Sequence, residues 1–427
     1  MSECLIFFIV GFFFLFICRL KTKTFVNCGC IFIFIWTIVG MFSNLQVYNL
    51  IKPSNLANYC MLVGIFVMGF MYSFFSSSYK ININKVKSKY SDINSNIILI
   101  INILVFIYLL PFFLKSLHLI LNNSFTYLRS LYGIASIETG QTSFSNLLIA
   151  SICYPVIIAT EIIAIVCLYL KKKEMTKILI FGTVNLIIYS IMSAARNGFV
   201  LLLFFIIIGY LKIGKIVEKQ RYRKKEKKNI ILYLILIIVI SFIIIITKDR
   251  SLSNGSFIYT FYIYFFAGPS FLTVLLEDLA TYGYTLNENL LFGTATFGFL
   301  YNIFALFANV MEIGVVNSDY VINSLITSNS YYIGGNTVVN AMSTIFFPFL
   351  MDWGYLGIFI GMFFFSATCL YVERKMIFKN NLRWIAFSMY LIYVTYRSVF
   401  KFEGISISFF FTLFFIFIFS QKIKIKI

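Results

Sequence analysis

Charge is what this chain has least of, and most of it is of one sign. Asp, Glu, Lys and Arg make up 12% of 427 residues, with 35 basic side chains against 16 acidic ones and a single histidine. With 60% hydrophobic residues and a mean hydropathy of +0.91, there is too little polar surface for a water-soluble globule. The lone histidine, His118, has no acidic or metal-binding neighbour in sequence, so a structural role suits it better than a ligand's. There is no glycine-rich phosphate loop, no nucleophile elbow and no DxD or other clustered metal-ligand spacing, so any catalysis is expected to be metal-independent and without a cofactor. The eight cysteines all lie in or beside apolar stretches, and Cys28 and Cys30 lack companion ligands, which supports neither a disulfide framework nor a zinc site. No internal repeat is visible, which weakens a carrier reading.

What is present is a pattern of cations between apolar runs. Of the 35 Lys and Arg residues, 27 fall in six clusters: 19–23, 80–89, 171–177, 212–228, 374–383 and 422–426. By the positive-inside rule these are cytoplasmic. The net charge of +19 does not read as nucleic-acid binding, because the cations sit between spans without aromatic-interleaved or Gly-rich context. The stretch Leu5 to Cys18 has Glu3 in place of a basic leader and its cations after the apolar run, so it reads as a retained first span with its N-terminus outside rather than a signal peptide.

Alternating clusters and outer segments predict an all-α polytopic membrane protein, a single integral membrane domain over 1–427, with about 11 spans of a hydrocarbon core roughly 30 Å thick. They are placed near 4–18, 25–43, 58–75, 97–118, 146–170, 178–194, 198–211, 230–247, 355–372, 384–400 and 405–420. The segment 248–354, 107 residues long, is expected to be one large outer loop. Within it, 257–276 and 290–311 read as helices lying in the outer interface, with a hairpin of two extra spans as the competing arrangement.

Eight cations fall on the predicted outer side: Lys52, Lys115, Arg129, Arg196, Lys248, Arg250, Arg397 and Lys401. Arg196 is at the tip of an apolar hairpin between Lys177 and Lys212, whose 34 intervening residues rise about 51 Å as helix, short of two crossings of roughly 30 Å each. The tip is therefore sunk, where an arginine either meets a ligand or snorkels to the interface. Arg397 lies 14 residues from Arg383, about 21 Å up a helix, with Lys401 one turn further out, and the pair forms a basic lane unless Glu403 neutralises it. Singly, Arg129, Lys248 and Arg250 read equally well as solvated interfacial charges. Together, five outer segments bring cations to the side that topogenesis depletes, which points to an anionic, membrane-embedded substrate such as a lipid pyrophosphate.

The candidate proton acceptors are Asp352, Asp319, Glu277, Asp278, Glu312 and Glu138. Glu161 falls near mid-membrane, too deep for chemistry on a surface sugar. Asp352 is placed closest to the chemistry, where the large loop enters the span beginning at Tyr355, with Gly354 and Gly357 leaving room beside it. The alternative is a helix N-cap, and loss of Asp352 as Asp352→Asn separates the two.

The hairpin tip Ser193-Ala194-Ala195-Arg196-Asn197-Gly198, the run Tyr262-Ile263-Tyr264-Phe265-Phe266-Ala267-Gly268-Pro269, and Gly335-Asn336-Thr337 leading to Phe347-Pro348 and Asp352-Trp353-Gly354-Tyr355-Leu356-Gly357 resemble the bacterial oligosaccharide repeat-unit polymerases, the Wzy-type O-antigen and capsule polymerases. Trp353 stands where that family more often has Phe. The resemblance implies a multi-pass glycosyltransferase of the bacterial cytoplasmic (inner) membrane. Its donor and acceptor would be undecaprenyl-pyrophosphate-linked glycans, and a chain-length regulator protein would be a partner. It implies Asp352 and Arg196 as catalytic, with Arg129, Lys248, Arg250, Asn336, Thr337, Arg397 and Lys401 binding substrate. An O-antigen ligase, a lipid-linked oligosaccharide flippase and a non-catalytic scaffold are the rival readings.

Overall fold

The computed structural model describes residues 2–78, 95–122, 143–170, 172, 174–193, 197–214, 257–281, 290–327, 331–334, 337–339 and 342–421. The chain divides into two compact units. The first comprises Met1–Lys80, Gly255–Phe378 and Val394–Phe410, the second Ile81–Asn254, Lys379–Tyr393 and Phe411–Ile427.

The first unit opens with α1 (Ser2–Thr22), α2 (Cys28–Ser43) and α3 (Asn55–Phe75). The starts of α2 and α3 are capped by short polar side chains: Asn27 Oδ1 accepts from Cys30 N at 2.8 Å, and Ser54 Oγ accepts from Ala57 N at 3.2 Å. In α1, Leu5, Ile9, Phe12, Phe13 and Phe16 are exposed, a face that an apolar helix turns to lipid rather than to a core. Between α2 and α3, Gln46, Tyr48 and Asn49 adopt positive φ of 53°, 62° and 56°, a conformation that costs non-glycine residues about 1–3 kcal/mol each.

The second unit contains α4 (Ser95–Asn122), α5 (Phe144–Tyr169), α6 (Met175–Met192) and α7 (Asn197–Gly209). A π-turn at Ile149–Cys153 precedes Pro155 in α5. A proline cannot donate to the preceding turn, and the wider turn absorbs the mismatch. A buried polar layer crosses this unit: Asn102 donates to Thr160 Oγ1 at 2.9 Å, and Asn185 donates to Asn102 O at 2.9 Å.

Residues of the predicted large loop form α8 (Phe257–Phe266), α9 (Gly268–Thr281), α10 (Gly298–Val310), α11 (Ser318–Thr327) and an antiparallel hairpin of β1 (Tyr331–Tyr332) and β2 (Val338–Val339). Helices α8 and α9 meet at a bend of 55° at Ala267. Along α10, Leu300, Phe304, Phe307 and Met311 are exposed at three- and four-residue spacing, while Asn302, Ala305 and Ala308 are buried. This helix is amphipathic, and its 13 residues rise only about 20 Å, too little for a crossing.

The chain continues with α12 (Phe346–Lys379), α13 (Leu382–Arg397) and α14 (Ile407–Phe419). The expected start of a span at Tyr355 is a break inside α12: Trp353 leaves helical geometry and Gly354 takes φ 58°. The break presses Phe349 O against Gly357, where a Cβ would lie 1.8 Å from that oxygen, so only glycine fits.

Among the described residues, six helices are long and apolar enough to cross a membrane, or seven with α8 and α9 as one broken span. The architecture is therefore that of an all-α, multi-pass membrane protein. The expected spans 25–43, 198–211 and 405–420 coincide with shorter apolar helices, 384–400 coincides with the 16-residue α13, and 230–247 lies outside the described residues.

Candidate functional site

The first unit gathers charge around the C-terminus of α13. Arg397 ends that helix because the next carbonyls are taken by another segment: Ile345 N donates to Ser398 O at 2.7 Å and Thr344 N to Phe400 O at 3.2 Å. The expectation that Lys401 continues the same helical face therefore gives way to a turn, in which Lys401 N still donates to Arg397 O at 3.0 Å. Both cations converge on Glu403. Arg397 Nε donates to Glu403 Oε1 at 2.8 Å, whereas Lys401 Nζ lies 3.6 Å from Glu403 Oε2, beyond a good hydrogen bond. The Lys401 side chain is 41% exposed against 14% for Arg397, so Lys401 is the more available to a ligand. Glu403 is the neutralising partner weighed for this lane in the sequence.

Two carboxylates share this environment with opposite consequences. Burial pushes Glu403 up, but the charges of Lys401 and Arg397 and the hydrogen bond from Arg397 outweigh it and hold the carboxyl below the ordinary range. Asp319, in the first turn of α11, is pushed up by burial, opposed by Lys401 and reinforced by Glu403. Its Oδ1 accepts from Asn323 Nδ2 at 2.9 Å. A carboxyl raised in this way holds a proton more readily than an ordinary aspartate.

A buried polar frame positions these groups. Asn302 of α10 donates to Ile405 O at 2.6 Å and accepts from Ser318 N and Ser318 Oγ at 3.1 and 3.0 Å. The one hydroxyl hydrogen of Ser318 has Thr294 O, at 2.8 Å, as its alternative acceptor. One amide thus ties the turn after Lys401 to the start of α11 and so to Asp319. Nothing local in the sequence marks Asn302, whose partners lie 16 and 103 positions away.

Asp352 serves the same frame. It is fully buried, and its Oδ1 and Oδ2 accept from Ala295 N at 3.0 Å and Thr296 N at 2.5 Å. It therefore caps the turn that leads into α10 rather than its own helix, and Phe292 N donates to its main-chain oxygen at 3.1 Å. Thr337 is buried beside the β-hairpin, its Oγ1 hydrogen-bonded to the Tyr259 hydroxyl. Arg129, Arg196, Lys248, Arg250 and Asn336 lie outside the described residues, as does Glu138. Glu161 is fully buried in the second unit, where Thr183 Oγ1 donates to its Oε1 at 3.3 Å and its Oε2 has no partner among the described residues.

No family model matches the chain, and comparison with curated proteins and with solved structures returns no match. The functional reading rests on the residues alone.

Proposed function

We propose that this protein is a glycosyltransferase of the Wzy type. It polymerises undecaprenyl-pyrophosphate-linked repeat units at the outer face of the bacterial cytoplasmic membrane, for O-antigen or capsule. In this reading the chain crosses the membrane about 11 times, 248–354 faces outward, and the exposed stripe of α10 lies in the outer interface. The observation that carries the proposal is the cluster of Arg397, Lys401, Glu403 and Asp319. An exposed cation and two carboxylates there sit on segments that the cation pattern puts outside.

In the proposed reaction the acceptor hydroxyl attacks the anomeric carbon of the donor sugar. A glycosidic bond forms, the bond from that carbon to the pyrophosphate oxygen breaks, and the electron pair leaves with the pyrophosphate. Asp319 takes the hydroxyl proton. Lys401 meets the charge developing on the leaving group, with Arg397 held in place by Glu403, and such electrostatic help is worth about 2.7–4 kcal/mol per donor where measured. Arg196, Arg129, Lys248 and Arg250 are proposed as further phosphate ligands, and Asn336 and Thr337 as sugar-side contacts. Asp352 is assigned to holding the turn before α10. A chain-length regulator is the proposed protein partner.

The test is the surface glycan of a deletion strain. One repeat unit attached to its terminal acceptor supports a polymerase, whereas loss of all attached glycan supports a ligase or flippase instead.

A further inference from the structure

A strained loop and a tyrosine cluster in the first unit stand apart from the charged site. Left-handed backbone is readily taken by Asn49, but rarely by residues like Gln46 and Tyr48. The surroundings impose it. Gly334, with φ 92°, leaves no room for a side chain, since a Cβ there would lie 2.4 Å from Asn49 O. Leu50 pairs with Gly334 in an antiparallel bridge, and Ile51 N donates to Ile333 O at 2.8 Å. The loop is thus clamped to the hairpin of β1 and β2.

The clamped conformation sets the Tyr48 ring edge-to-face against Tyr259 and Tyr262, at centroid distances of 5.1 and 5.4 Å. The latter two rings are anchored, Tyr259 by its hydroxyl to Thr337 Oγ1 and Tyr262 by its hydroxyl to Phe42 O at 2.5 Å. Tyr48 is 38% exposed, and its own hydroxyl makes no hydrogen bond among the described residues. A loop selected only for its turn would carry Gly or Asn at this φ. Backbone strain that holds a partly exposed aromatic ring on a rigid support points to a role for that ring.

We propose that Tyr48, supported by Tyr259 and Thr337, is a carbohydrate-binding site that receives the acceptor glycan. This rests on the glycosyltransferase reading for which glycan it holds. A sugar ring presents an apolar C–H face of partial positive charge that matches the negative face of an aromatic ring, while its hydroxyls need neutral donors and acceptors. The cluster supplies hydroxyls and no charge of its own. The cation on the same loop, Lys52, is paired with Glu3 at 2.7 Å, so the site suits a neutral sugar rather than a phosphate.

The test uses the full-length protein in detergent and, as probe, the repeat-unit oligosaccharide released from its lipid carrier by mild acid. Binding is read by saturation transfer from aromatic protons. Tyr48→Ala should weaken binding about tenfold and Tyr48→Phe no more than about threefold, because the ring is retained. If Tyr48→Ala does not fold, Tyr48→Leu, which keeps bulk but loses the ring, should show the same loss. Unchanged binding in the ring-less variants, or no binding by the wild type, overturns the site. Because polymer length in cells is scored separately, normal polymer together with Tyr48-independent binding removes the site and leaves the polymerase reading standing. Tyr48-dependent binding without any polymer defect in a deletion strain does the reverse.

Discussion

Buried carboxylates are handled in two ways in the two units. In the first, each is met by donors: Glu403 by Arg397 and Lys401, Asp352 by two backbone N–H groups, and Glu373 by Cys28 N at 2.9 Å and the Tyr72 hydroxyl at 2.7 Å. In the second, Glu161 has one hydroxyl, that of Thr183, at 3.3 Å, and no partner for Oε2 among the described residues. No charged donor accompanies Glu161 among the described residues. The difference teaches where charge can work in this protein. Among the described residues, the carboxylates of the first unit are held by donors from several elements, whereas Glu161 has a single hydroxyl.

The sharpest way to break this comparison is to remove the donors' acceptor at Asp352. Asp352→Ala leaves two buried N–H groups unmet, at about 1–3 kcal/mol each, so thermal unfolding in detergent should shift downward strongly. Asp352→Asn, with one acceptor oxygen left, should fall between the variant and the wild type. A smaller loss is expected for Glu403→Gln, about 1–2 kcal/mol, since Arg397 loses its counter-charge but is not fully buried.

Acid sharpens the same contrast. Glu403 is held below the ordinary range, so the stability it contributes is present above that range and is lost as pH falls through its lowered value. Asp319 is raised, so its contribution has the opposite sign: it favours the folded state at low pH and fades as pH rises through the raised value. A melting-temperature profile against pH should lose its acid-side slope in Glu403→Gln and its opposing component in Asp319→Asn. The smallest effect belongs to Glu161→Gln, a change of less than about 1 kcal/mol, because the glutamine oxygen still accepts from Thr183. A loss as large as that of Glu403→Gln would erase the distinction between the two units.

Much of this architecture is legible in sequence because lipid imposes a simple pattern. Helices cover ten of the eleven expected span positions, and the remaining one, 230–247, lies outside the described residues. Span lengths are less legible, since α2, α7, α13 and α14 are shorter than a crossing and the end of α13 is set by residues 344 and 345, far off in sequence. Gly354 and Gly357 read in the sequence as room beside Asp352, whereas in the fold Gly354 takes φ 58° within the helix break and Gly357 leaves space for Phe349 O. At the site, Arg397, Lys401 and Glu403 are close in sequence and could be read together. Asn302, Ser318 and the capping role of Asp352 depend on contacts 16 to 103 positions apart, which no local spacing reveals.

The central claim is that Asp319 and Lys401 perform the chemistry while Asp352 holds the scaffold. The most direct test is the glycan length distribution of a deletion strain complemented with Asp319→Asn at normal protein level. The account predicts glycan limited to a single repeat unit, with the same result for Lys401→Met and with Lys401→Arg retaining longer chains. Full-length polymer from Asp319→Asn would contradict it.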